Sequence, residues 1–228
     1  MGDLIVMSEH RLARSRGCAG PTQDPDGLAT VSSFVRRRGA ATVVSFYFDV
    51  SCPFSYLASE RVDRTFGSAR WIPASSLAMR DEAVPAVYDE PDLAAIGRAE
   101  LRAAELRLPL IWPDRFPVPA PRALRAAAYA AEVGAGARFA LAAGRLAFCG
   151  GFDLDTPDVI AEAAAAAGIK LDACMQAAAD DSRDHRLYAT GRWLHNLGVR
   201  QLPAMRVTGR WFGGERALAG AMAASRAV

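Results

Sequence analysis

The spacing of apolar residues changes along the chain, and each change predicts a different element. Thr42 to Phe48, T-V-V-S-F-Y-F, is β-branched and aromatic and predicts a buried strand. From Pro53 the apolar positions Phe54, Leu57, Ala58, Val62 and Phe66 recur at helical spacing. Arg70-Trp71-Ile72-Pro73 predicts a second short strand, parallel to the first after a helical crossover. The middle is helical, with helices expected over 91–107, 121–133, 135–148, 157–168 and 171–197. A proline-rich loop, I-W-P-D-R-F-P-V-P-A-P, interrupts them at 111–121. Leu202 to Phe212 then predicts a strand, a tight turn at Thr208-Gly209 and another strand. A last helix is expected from Gly214, with Leu218 and Met222 on one face.

This order implies an α/β protein with a four-stranded sheet from 42–48, 69–74, 203–208 and 210–213. Helices 53–66 and 214–226 lie beside that sheet. An all-helical subdomain, 91–198, is inserted between two parts of the sheet domain, 41–90 and 199–228. Residues 1–40 mix Gly, Pro, Ser, Thr and Arg without periodicity and are expected to be a disordered tail.

Composition narrows the classes. Half of the 228 residues are hydrophobic and 23% are charged, an ordinary globular balance. Six arginines against four acids give residues 1–40 the whole net charge of +2, so the body 41–228 is neutral. A neutral body has no electrostatic footprint for nucleic acid. No apolar run reaches the roughly 18 residues of a membrane helix, and Leu4-Ile5-Val6-Met7 is too short for a signal segment. A cytoplasmic protein without membrane or nucleic-acid partners is expected, and a homodimer is left open. Cys18, Cys52, Cys149 and Cys174 are far apart, with no C-x-x-C pair, so neither a metal site nor a disulfide framework is expected.

The chemistry gathers at Cys52-Pro53-Phe54-Ser55, where the first strand meets the first helix. Proline suits the first helical turn, so Cys52 falls at the N-cap. There the unpaired amides and the positive end of the helix dipole favour thiolate, which in such settings forms at a pKa of roughly 3.5–7.5. Ser55 can donate to that thiolate but cannot resolve a mixed disulfide. Burial under a helical lid opposes ionisation, so a small buried cap is the competing reading. Leu202-Pro203 opens a late strand, where proline must sit at an edge, a strand start or a cis bond. Asp49, three residues before Cys52, is either a buried acid that takes up protons near the thiol or a cap of the adjacent turn. Trp112 and Phe116 either line a cleft or plug the core. Cys149 and Cys174 are expected to be packing residues, with Cys149 a resolving thiol only if the 145–153 segment folds over the motif.

Together these features resemble the DsbA-like branch of the thioredoxin superfamily. The resemblance spans about 42–224 and is closest to 2-hydroxychromene-2-carboxylate isomerases and kappa-class glutathione transferases. It rests on F-Y-F-D-V-S-C-P-F-S-Y-L-A (46–58), W-P-D-R-F-P-V (112–118), G-F-D-L-D-T-P (151–157) and L-P-A-M-R-V-T-G-R-W-F-G-G-E-R-A-L (202–218). It implies a thioredoxin-like fold with an inserted helical subdomain, and a cis Leu202-Pro203 bond facing Cys52. In the isomerase branch a glutathione-activating serine usually stands where this chain has Cys52; the disulfide oxidases have their nucleophilic cysteine there and a second cysteine where this chain has Ser55. The resemblance makes Cys52 and Ser55 catalytic. It assigns Pro53, Phe54, Leu202, Pro203, Gly214 and Glu215 to substrate or glutathione binding, the last two at the γ-glutamyl end. Pro119 replaces an asparagine usual in the isomerases, and Pro73-Ala74-Ser75-Ser76 replaces their proline-phenylalanine-leucine stretch.

Three functions follow as expectations. One is a glutathione-dependent isomerase or transferase acting on a small aromatic or carbonyl compound. Another is a monothiol oxidoreductase acting on a protein thiol. The last is a non-catalytic peptide-binding module.

Overall fold

The computed structural model describes residues 43–80, 92–117 and 119–226. The expected tail 1–40 lies outside them. Strand β1, Val44–Phe48, is buried along its whole length. It is central: the sheet order is β2-β1-β3-β4, with β2 at Arg70–Pro73, β3 at Ala204–Val207 and β4 at Arg210–Gly213. β2 runs parallel to β1 in the register Phe46 to Trp71, while β3 runs antiparallel in the register Phe46 to Met205. A strand with a neighbour on both sides and cover on both faces must be apolar throughout, which accounts for V-S-F-Y-F. The β3–β4 hairpin turns at Thr208 and Gly209, with φ of 51° and 80°. Positive φ at both central positions matches the strand twist.

Alternate residues of β1 serve two cores. Phe46 and Phe48 face Trp71, whose ring stands edge-on to both at 4.8 and 5.8 Å. That core continues through helix α1, Pro53–Thr65, and helix α8, Ala217–Arg226. α8 begins three residues later than expected, because 214–216 form a bend and turn. Tyr47 points the other way and packs with Ile72, Ala204 and Leu194.

Among the described residues, five α-helices follow β2 before the last one of the helical block: α2 Leu93–Leu106, α3 Pro121–Glu132, α4 Gly136–Phe148, α5 Pro157–Ala167 and α6 Leu171–Ala179. α7, Arg183–Asn196, completes the block. The single helix expected over 171–197 is thus two. The Asp180 carboxylate accepts from the Ser182 amide at 3.2 Å and its hydroxyl at 2.6 Å. Such a local turn competes with helical bonding. α4 packs along α1, and Glu60 of α1 holds Arg145 of α4 through two contacts of 2.6 and 2.8 Å. α7 packs on the second face of the sheet domain: the Trp193 ring lies tilted 6.1 Å from that of Tyr47, and Leu194 is fully buried in the same cluster.

Candidate active site

Cys52 stands where β1 ends and α1 begins. Its amide donates to the Asp49 carbonyl at 3.1 Å, which closes the turn, and Pro53 opens the helix. Cys52 is the N-cap residue by position, yet its side chain makes no capping bond. The sulfur turns across the groove and donates to the Leu202 carbonyl at 3.5 Å. The Leu202–Pro203 peptide is cis, and both residues are buried. The motif at the start of the chain's first helix and the proline loop 150 residues later therefore meet at one sulfur.

Of the two opposed influences expected on the Cys52 thiol, helix donors and burial, burial is the larger. Burial pushes the Cys52 thiol up from an ordinary 9.0 to about 11. The side chain and amide of Ser55 and the amide of Phe54 act in the opposite direction, and the negative charge of Asp49 adds to the rise. The residue as a whole is half-buried, but the protein packed around the sulfur outweighs the donors. The sulfur also donates its hydrogen to the Leu202 carbonyl, a bond that favours the neutral form.

Ser55 is buried at 2% exposure, and its hydroxyl accepts from the Asp49 amide at 3.3 Å. Pro53 and Phe54 are half-buried at the groove. Gly214 is buried, and its amide already serves Gln201 and Pro203 carbonyls at 3.0 and 2.9 Å. Its part is to clip the proline loop to the approach of α8. Glu215 follows it, half-buried, in the turn before that helix.

Asp49 caps the adjacent turn. One carboxylate oxygen accepts from the Ser51 amide and hydroxyl at 3.0 and 2.8 Å, the other from the Ser76 amide and hydroxyl at 2.8 and 2.7 Å. Ser76 carries no signal in the sequence, since only the fold brings the segment after β2 against the motif.

Ser51, beside Cys52, borders a cleft of about 30 Å³ that Phe116, Phe148, Phe152 and Leu154 also line. Arg115 and Asp153 pair across its mouth. Trp112 belongs to the wall behind: its ring packs on Phe116 and Phe148, and its Nε1 donates to Glu100 at 2.9 Å. A separate cavity of about 410 Å³ runs along β2 between α3 and α7, and none of the motif residues lines it. Cys149 is half-buried with its sulfur 3.1 Å from the Tyr56 hydroxyl, and Cys174 is fully buried, its thiol raised by that burial.

A parallel-antiparallel sheet, an N-cap cysteine and a cis-proline loop across from it define a thioredoxin-like protein with a helical insertion. Residues 43–222 match the model of the DSBA-like thioredoxin domain, and the chain belongs to that family. Among solved structures it is similar to a 2-hydroxychromene-2-carboxylate isomerase, at a TM-score of 0.66 and 18% identity, covering 81% of this chain and 95% of that one. It is also similar to a probable DsbA oxidoreductase from Streptomyces coelicolor, at a TM-score of 0.61 and 16% identity, covering 82% and 90%. At these identities the likeness is one of fold. A comparison with curated proteins finds no match. Among the described residues, no helix is long and apolar enough to cross a membrane.

Proposed function

We propose that this chain is a glutathione-dependent isomerase or transferase in which Cys52 works as a protonated donor, filling the place of a serine. One observation carries the reading: the half-buried Cys52 S–H is aimed at the carbonyl beside the cis-proline. With a thiol at about 11, Cys52 is overwhelmingly S–H at neutral pH. A protonated sulfur is a poor nucleophile and a usable, if weak, donor. Bound glutathione would supply the thiolate nucleophile that this site does not generate from its own cysteine.

The residues present suit the two ends of such a tripeptide unequally. At the thiol end, Cys52 can turn its hydrogen from Leu202 to an incoming sulfur, and the Leu202 backbone stays available beside it. At the γ-glutamyl end, the Gly214 amide is already committed to the proline loop, so Glu215 carries the recognition of the ammonium. Pro53 and Phe54 form the helix-start wall between the two. The second substrate, a small aromatic or carbonyl compound, enters by the cleft of Phe116, Phe148 and Phe152. At about 30 Å³ that cleft must widen to admit it, and the Arg115–Asp153 pair is the contact that parts.

A monothiol oxidoreductase acting on protein thiols is the second reading, favoured by the presence of sulfur rather than oxygen at position 52. It needs a thiolate, and the burial of Cys52 works against one. Calorimetric titration with reduced glutathione separates the two. Wild type and Cys52→Ser should bind with similar affinity, since serine keeps a donor. Cys52→Ala should lose about fivefold, the worth of a hydrogen bond of about 1 kcal/mol. Absence of binding in the wild type would overturn the reading. A mixed disulfide with oxidised glutathione, formed rapidly at neutral pH, would favour the oxidoreductase.

A further inference from the structure

Asp49 has a carboxylate at 4% exposure with four hydrogen bonds, and all four come from neutral serine groups. Among the described residues no ion pair to Asp49 is formed. A carboxylate has about four acceptor positions, so this one is saturated. The bonds divide evenly: Oδ1 holds Ser51, next to Cys52, and Oδ2 holds Ser76, 27 residues on. Ser76 is itself anchored, because the Ser75 amide donates to the Leu187 carbonyl of α7 at 3.1 Å. The Asp49 carbonyl meanwhile receives the Cys52 amide. One buried side chain thus joins the cysteine turn to the β2 exit loop and, through it, to α7.

The choice of an acid has a consequence of its own. Asparagine could serve Ser51 or Ser76 but not both, since its NH₂ cannot accept from an amide. A cation partner would satisfy the carboxylate and cancel its field. Neutral donors satisfy it and leave the negative charge in place beside the sulfur. Cys52 packs against a cluster containing Tyr47, Trp193, Leu202 and Trp211, in which the Tyr47 phenol is the other titratable group.

We infer that Asp49 is a positioning residue for Cys52, fixing the cysteine turn through Ser51 and Ser76 and leaving a carboxylate without an ion-pair partner three residues from the sulfur's residue. This rests on the reading of Cys52 as a donor.

The test uses the full chain and two variants. Iodoacetamide modification is followed by peptide mass across pH, with Cys149 and Cys174 as internal controls. In Asp49→Asn the Cys52 midpoint should fall, because a like charge has gone, while Cys149 keeps its rate. Hydrogen exchange reads the positional half. Ser76→Ala leaves the charge intact and removes one anchor. Exchange at the Ser51 and Cys52 amides should then quicken about fivefold, the effect of about 1 kcal/mol. An unchanged midpoint in folded Asp49→Asn would overturn the inference, as would unchanged exchange at both amides in Ser76→Ala. Should Asp49→Asn not fold, the exchange result decides alone. Failure of the wild type to bind glutathione would instead remove the proposed function, and neither readout here depends on glutathione.

Discussion

Replacing Cys52 by serine removes one titrating group and keeps a donor of similar shape, so the stability of the two proteins should diverge with pH in a calculable way. Burial raises the folded-state thiol from 9.0 to about 11. Between those values the folded chain holds a proton that the unfolded chain has lost. Stability contributed by that difference is therefore fully present below pH 9 and is lost as pH rises towards 11. Two units correspond to about 2.7 kcal/mol in total, of which about 1.3 kcal/mol is lost between pH 8 and pH 10. Serine does not titrate in this range, and every other group cancels in the difference. Urea unfolding of both proteins under reducing conditions, at pH 8 and at pH 10, measures the quantity directly. The advantage or deficit of wild type relative to Cys52→Ser should shift by about 1.3 kcal/mol against the wild type at the higher pH. A difference that stays constant across this interval would show that Cys52 titrates as an ordinary thiol. A shift in the other direction would place its folded value below 9 and restore the nucleophile.

Ser55→Ala removes a group that favours the Cys52 thiolate and strands the Asp49 amide, so iodoacetamide should modify Cys52 more slowly and stability should fall by about 1 kcal/mol in thermal unfolding. Arg145→Ala leaves the Glu60 carboxylate, 8% exposed, without its two bonds; because the Arg145 side chain is itself 56% exposed, the loss should be about 1–2 kcal/mol rather than the full cost of a buried pair, read by urea denaturation. Gly191→Ala would place a methyl 2.3 Å from the Ser75 carbonyl oxygen, where backbone rather than a side chain must yield. It should cost about 2–3 kcal/mol in calorimetry and should also quicken exchange at the Ser76 amide. Phe148→Ala empties a site at 1% exposure between Tyr56 and Phe116, and about 3–5 kcal/mol of stability should go with it.

The four strands, the first helix and the hairpin turn were legible in the residues because each rests on local rules. V-S-F-Y-F is apolar at every position, Pro53 suits a first helical turn, and Thr208-Gly209 sits between two short β-rich runs. Cys52 and Pro203 were legible as candidates for the same reason, since each stands at a junction whose geometry has few solutions. The donors of Ser55 and the helix start, the opposing burial and, through the resemblance, the facing Leu202-Pro203 bond were all legible as contributors at Cys52. Their balance was not, because the burial that raises its pKa is a property of the assembled groove. For Asp49 a turn cap was one of the two readings open in the sequence, but half of its bonds come from Ser76, placed there by β2 and α7. Local sequence determined which groups stand at the junction. Only the tertiary structure decided whether that junction holds a charge or a hydrogen, because desolvation and long-range partners do not exist until the chain has closed around them.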